Sequence, residues 1–155
     1  MRSNISAKCL GSLMAVILIA GLSAAAHADD SRCSLARSSG KWSFTDQGTV
    51  IGIGPRTAVG VLTLDGEGNL QNGVATSSLN GAIASETFSG TYTVNPDCTG
   101  TISVDIFSSG TEILIVTLNV AFDDNMSHMR GIFTSAATPS GVQLSTVINL
   151  DARKQ

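Results

Sequence analysis

The sequence predicts an all-β chain: a single closed eight-stranded antiparallel up-and-down barrel. Three observations predict it. Period-2 apolar segments recur about every 10 to 14 residues, the signature of a barrel or sandwich. Gly, Asn and Asp punctuate them as turn residues. No useful window carries the 3.6-residue spacing of an amphipathic helix. Consecutive strands on short turns favour a meander, and closing it removes the exposed edges. A two-sheet β-sandwich is the alternative.

Eight strands follow in order. Lys41 to Thr45 puts Trp42 and Phe44 on one face. Ala58 to Asp65 keeps Gly60, Leu62 and Leu64 in phase, and the polar run Asp65-Gly66-Glu67-Gly68-Asn69 turns the chain into Leu70 to Ser78. Glu86 to Val94 alternates most cleanly, with Phe88, Gly90, Tyr92 and Val94 opposite Thr87, Ser89, Thr91 and Thr93. Asn95-Pro96-Asp97-Cys98 turns it again into Gly100 to Phe107, with Ile102, Val104 and Ile106 in phase. Glu112 to Phe122 is apolar on both faces at its start, and Asp123-Asp124-Asn125 follows. Ser127 to Thr134 and Val142 to Leu150 complete the set. The inner face is expected to hold Trp42, Phe44, Leu62, Leu64, Phe88, Tyr92, Ile102, Val104, Ile106, Phe133 and Ile148. Gln47 to Thr57 (QGTVIGIGPRT), with alternating Gly and apolar residues and a Pro, reads as a loop packed on the core, the alternative being a mobile apolar loop over one end of the barrel.

The first residues read as an export signal. Arg2 and Lys8 precede the apolar run Leu13 to Leu22, and Ala26-His27-Ala28 has the small-residue cleavage pattern. Ten apolar residues span about 15 Å as a helix, half a bilayer core, which argues against a membrane anchor. Cys9 precedes the run, which argues against a lipoprotein. The expectation is a signal peptide over 1–28, a β-barrel domain over 29–155 and a periplasmic or extracellular location.

The mature chain of 155 − 28 = 127 residues would carry 7 basic and 12 acidic residues, net −5. That balance excludes nucleic acid, which needs a basic patch, and docking on anionic lipid. Two cysteines remain, Cys33 and Cys98. An even count in an exported chain suggests one disulfide, against the alternative of two free thiols.

Three stretches carry a resemblance: Gly40-Lys41-Trp42-Ser43-Phe44, the run from Ala58 to Asn69, and Glu86 to Thr101 (ETFSGTYTVNPDCTGT). On them the mature chain resembles an uncharacterised family of small exported bacterial proteins, whose barrel is similar to that of plant allene oxide cyclase. The resemblance implies the barrel and the Cys33–Cys98 bridge. It carries over no catalytic residue, since no cyclase motif matches. Gly40-Lys41-Trp42, with Arg153 after the last strand, also resembles the lipocalins and other calycins, in which a terminal Arg packs on that Trp.

Candidate chemistry is sparse. His128 alternates with Arg130 and Ile132, away from Met129 and Phe133, so it is expected to face out. With no second histidine in the mature chain and no G-x-S-x-G, a Ser-His-Asp hydrolase has no support. Bridged cysteines offer no thiol nucleophile. The Asp65 to Asn69 and Asp123 to Asn125 clusters read as turns and lack calcium-loop spacing. No CxxC or HxxxH spacing or phosphate-cradling loop is present, so neither metal nor cofactor is expected. Asp105 is expected to be solvated, while Asn119 fits either face.

Glu86 and Tyr92 remain. Both share phase with Phe88 and Val94, the expected inner face, with Gly90 leaving room between them. A buried carboxylate and phenol must bond each other, water or a ligand head group. They are the expected polar groups of a site inside the barrel for a small apolar or amphipathic molecule. The alternatives are a structural or interaction module with a filled interior, and a cyclase-like isomerase that folds a reactive lipid.

Overall fold

The computed structural model describes residues 32–155. The export signal and its cleavage site lie outside the described residues. A short helix α1 (Leu35–Ser38) precedes eight strands: β1 (Gly40–Val50), β2 (Gly54–Leu64), β3 (Asn69–Leu79), β4 (Ala82–Val94), β5 (Thr99–Ser108), β6 (Thr111–Phe122), β7 (His128–Ala137) and β8 (Thr146–Lys154). Each strand pairs antiparallel with the next, and β8 pairs with β1, so the sheet closes in sequence order. Closure rules out the two-sheet sandwich.

Period-2 alternation decides what faces in. Trp42, Leu62, Leu64, Tyr92, Ile102, Val104, Ile106 and Ile148 are buried, as expected, along with Phe44 and Phe133. Phe88 is only partly buried, edge-on to Phe44 with ring centroids 5.6 Å apart. Register shifts in β2–β3, β3–β4, β5–β6 and β6–β7 add the local twist that a small barrel needs. Gly90 does not leave room for a ligand. A Cβ there would stand 1.9 Å from the Ser103 carbonyl oxygen, so the backbone of β5 fills that space.

Several strand boundaries differ from the sequence expectation. Gln47 to Thr57 is not a loop: β1 continues to Val50, a tight turn covers 51–53, and β2 starts at Gly54. Pairing along both flanks of β1, to β2 and β8, overrides the local glycine signal. β4 starts at Ala82 because Asn80-Gly81, with φ of 49° and 88°, makes the two-residue hairpin turn that suits twisted strands. Glu86 is therefore mid-strand. β7 runs on to Ala137, paired with β6. β8 runs from Thr146 to Lys154, and Val142 to Ser145 belong to the preceding loop, joined to β7 by a Gln143–Ala137 bridge.

One end of the barrel is plugged. Ser34 caps α1 by accepting from the Arg37 N–H. The Ser38 carbonyl that follows accepts from the Trp42 indole at 2.9 Å. Trp42, fully buried, packs edge-on to Phe122. A Cys33–Cys98 disulfide ties the segment before α1 to the β4–β5 turn. Arg153 does not pack on Trp42. It is exposed on the outer wall, paired in register with Ser43, because it falls one residue out of phase with the inward Ala152.

The two ends differ in charge. The turns at the plugged end contribute Asp65, Glu67, Asp97, Asp123 and Asp124. The four connections at the other end, 51–53, 80–81, 109–110 and 138–145, contain no charged residue. Exposed Ile51, Ile53, Ile83 and Val142 make that rim apolar.

Candidate functional site

The open end leads to a buried charged cluster that links β1, β2, β3 and β4. Asp46 follows Trp42 and Phe44 in phase, so it points inward. Arg56 precedes Ala58 in the same alternation and also points inward. Ser77 and Glu86 occupy buried positions on β3 and β4. The register sets them diagonally across neighbouring strands: Asp46 opposes Ala58, Arg56 opposes Leu79, and Ser77 opposes Ala84. Long side chains reach across such diagonals.

Arg56 donates from Nη1 to Glu86 Oε1 and from Nη2 to Glu86 Oε2, both at 3.0 Å. The planar fork matches the carboxylate. Nη2 also donates to Asp46 Oδ2 at 3.4 Å, and the Ser77 hydroxyl donates to Glu86 Oε1 at 2.6 Å. Asp46, Glu86 and Arg56 are 3%, 6% and 9% exposed, so these charges are out of water. Asp46 Oδ1 and Arg56 Nε find no partner among the described residues.

The two carboxylates respond oppositely. Burial pushes the Asp46 carboxyl above its ordinary value, against the pull of Arg56 and with help from the Glu86 charge. Burial would push Glu86 up as well. Hydrogen bonds from Arg56 and Ser77, with the Arg56 charge, hold it below its ordinary value instead. Glu86 is the settled partner of Arg56, and Asp46 is the weakly paired one.

The cluster separates two spaces. Beneath it, among Phe44, Leu62, Leu70, Phe88, Met129 and Phe133, lies a cavity of about 50 Å³. Above it, at the open end, lies a vestibule of about 320 Å³ walled by Val50, Ile53, Leu79, Ile83, Leu114 and Leu144, with Arg56, Ser77 and Glu86 also lining it. The middle of the barrel is thus packed, and the larger apolar space is at its mouth.

Glu86 and Tyr92 both face inward, but the structure does not bring them together. Six residues of strand separate them by about 20 Å. The Tyr92 hydroxyl lies at the plugged end, donating to the Asp65 carbonyl and accepting from Ser38 Oγ at 3.1 Å. Burial, then the nearby Asp65 charge, raise the phenol above its ordinary value despite the Ser38 hydrogen bond. Sequence reasoning missed Asp46, Arg56 and Ser77. The available signal was phase: extending β1 and β2 past their apolar cores puts an acid and a base on the inward face.

His128 sits on the outer wall, its Nε2 2.8 Å from Asp151 Oδ2. Asp105 and Asn119 are exposed. The turn carboxylates are occupied by local hydrogen bonds: Asp65 Oδ1 accepts from the Glu67 and Asn69 N–H groups, and Asp123 Oδ1 from those of Ser127 and His128. Among the described residues no group of three His, Cys, Asp or Glu side chains is placed to hold a metal ion. No helix among them is long and apolar enough to cross a membrane.

No protein-family model and no curated protein matches the chain. Solved β-barrels do. A redesigned β-barrel, mFAP1, bound to DFHBI, is 15% identical, with a TM-score of 0.52 over 78% of this chain and 98% of that one. The protein EF1p2_mFAP2b bound to DFHBI is 14% identical, with a TM-score of 0.51 over 79% of this chain and 100% of that one. At such identity the likeness shows the fold alone.

Proposed function

We propose that this chain is an exported barrel that binds a small apolar or amphipathic molecule in the vestibule at its open end. The observation that carries the reading is the vestibule itself: about 320 Å³ of mostly apolar wall above a buried Arg56–Glu86 pair. Small-molecule sites combine an apolar pocket with a few convergent polar groups in this way. The rim around it exposes isoleucines and carries no charge in its connections, which suits entry of an apolar molecule. The two barrels of similar fold are each bound to DFHBI, so the architecture accommodates a bound molecule elsewhere.

Export accounts for the amino-terminal pattern and for a disulfide, which persists in an oxidising compartment. Intact mass of the secreted protein tests it: the chain should begin at Asp29, and a mass that includes Met1 to Ala28 overturns it. The resemblance to small exported bacterial proteins with a cyclase-like barrel agrees with this reading, and no catalytic step is assigned.

Binding is tested by titrating the protein with N-phenyl-1-naphthylamine, an uncharged fluorescent apolar probe. Saturable one-to-one enhancement is expected, and Ala82→Trp, which fills the mouth from an exposed position, should abolish it. No saturable binding by the wild type overturns the reading. The packed middle of the barrel would then favour the second reading, a structural or interaction module.

A further inference from the structure

The floor of the vestibule also bears on the head group of the bound molecule. This step rests on the binding-barrel reading above. Arg56 is the only basic side chain lining the vestibule among the described residues. Its two Nη atoms are already engaged by both oxygens of Glu86, and Asp46 approaches the same guanidinium at 3.4 Å. One positive group therefore faces two acids, and with both acids ionised at neutral pH the cluster carries a net charge of −1. The Ser77 hydrogen is donated to Glu86 Oε1. The floor offers the mouth the remaining lone pairs of Glu86 and of Ser77 Oγ, and the Arg56 donors left over belong to a guanidinium whose charge Glu86 and Asp46 already offset. The rim loops add no Lys or Arg.

We infer that the vestibule selects amphiphiles whose head group donates hydrogen bonds and carries no negative charge, such as alcohols and ammonium compounds, and rejects fatty carboxylates. A carboxylate brought to this floor would shed water without gaining a free cation and would face Glu86 at close range. An alcohol donates to the acceptors already there. An ammonium group adds attraction to a site with an excess of acid. The opposite arrangement, an unpaired Arg at the base of an apolar barrel, would select fatty acids. Glu86 removes that possibility here by pairing with the guanidinium through both of its carboxylate oxygens.

The test compares three ligands of one chain length, decan-1-ol, decylamine and decanoic acid, displacing N-phenyl-1-naphthylamine from the wild-type protein at neutral pH, with the alcohol below its aqueous solubility and the amine and acid below their critical micelle concentrations. The alcohol and the amine should each bind about tenfold or more tightly than the acid, a difference of about 1.4 kcal/mol. Equal or tighter binding of decanoic acid overturns the head-group inference while leaving the vestibule reading intact. Failure of the probe and of all three ligands to bind overturns both. Glu86→Gln, which is isosteric and releases Arg56 from its charge partner, should raise the affinity for decanoic acid relative to decan-1-ol by about tenfold. An unchanged ratio in the folded variant overturns the inference. If circular dichroism shows that Glu86→Gln does not fold, Asp46→Asn makes the same one-unit change in cluster charge and should move the ratio in the same direction.

Discussion

Arg56 and Glu86 meet through two hydrogen bonds of 3.0 Å each, thirty residues apart in sequence and on strands that do not pair with each other. β3 lies between their strands, and its Ser77 hydroxyl closes on the same carboxylate. Both charges are almost fully buried, which makes each dependent on the other. A buried pair of this kind adds little net stability compared with an apolar replacement, yet losing one member strands the other.

Arg56→Met should therefore destabilise the protein by about 3–5 kcal/mol, because it leaves Glu86 ionised and unpaired. Adding Glu86→Leu to the same chain should recover much of that loss. Urea denaturation of the two variants checks both. A single variant as stable as the wild type would mean that water reaches Glu86.

Acid should weaken the fold through Glu86. Its folded value lies below the ordinary 4.5, so the stabilisation it gives is present above about 4.5 and is lost as pH falls through the lower folded value. Asp46 has the opposite sign: its value is raised, so its ionised form costs stability at neutral pH and the cost is relieved on acidification. Glu86→Gln should lower stability by about 1.5–3 kcal/mol at neutral pH, through loss of charged hydrogen bonds. Its difference from wild type should shrink in acid. Asp46→Asn should cost less at neutral pH than Glu86→Gln. Denaturation curves at neutral and acidic pH would refute the assignment if the two variants exchanged these behaviours.

Tyr92 is the only tyrosine in the chain, so absorbance at the phenolate band reports it alone. Its midpoint should lie above the ordinary 10.0, held up first by burial. The sign for folding is the usual one for a raised group. The stabilisation is complete below about 10 and is lost as pH rises through the folded value. A midpoint at or below 10 in the folded protein would place Tyr92 in water instead of in the plug.

The disulfide joins positions 65 residues apart. In the chain-entropy account, closing a loop of that length stabilises by about 4 kcal/mol. Reduction should lower the melting temperature substantially, and Cys33→Ala with Cys98→Ala should match the reduced wild type. Two alkylatable thiols in the native, unreduced protein would remove the bridge. Because the bridge anchors α1 and the plugged end, its loss should perturb Trp42 fluorescence while leaving probe binding at the far end largely intact.

Much of the fold was legible in the sequence. Alternation in Glu86 to Val94 and Gly100 to Phe107 set which side chains face in, and turn residues at Asp65 to Asn69 and Asn95 to Cys98 set the hairpins. The site was less legible. Glu86 stood out only because it shared phase with Phe88. Arg56 was hidden in a glycine-rich run that reads locally as a loop, and Asp46 lay just beyond the end of the expected first strand.

The sequence by itself determined the faces, since a period of 2 is a property of extended backbone and needs no partner strand. It also determined the number of strands and the pair of cysteines available to close a bridge. Only the tertiary structure decided where strands end, because the pairing of β1 with both β2 and β8 gives hydrogen bonds to residues with weak local preference. Only it decided that Glu86 meets Arg56 and Ser77 at one end while Tyr92 meets Ser38 and Asp65 at the other. The physical reason is that phase fixes direction across the wall, whereas depth along the barrel depends on register, turn geometry and closure between segments far apart in the chain.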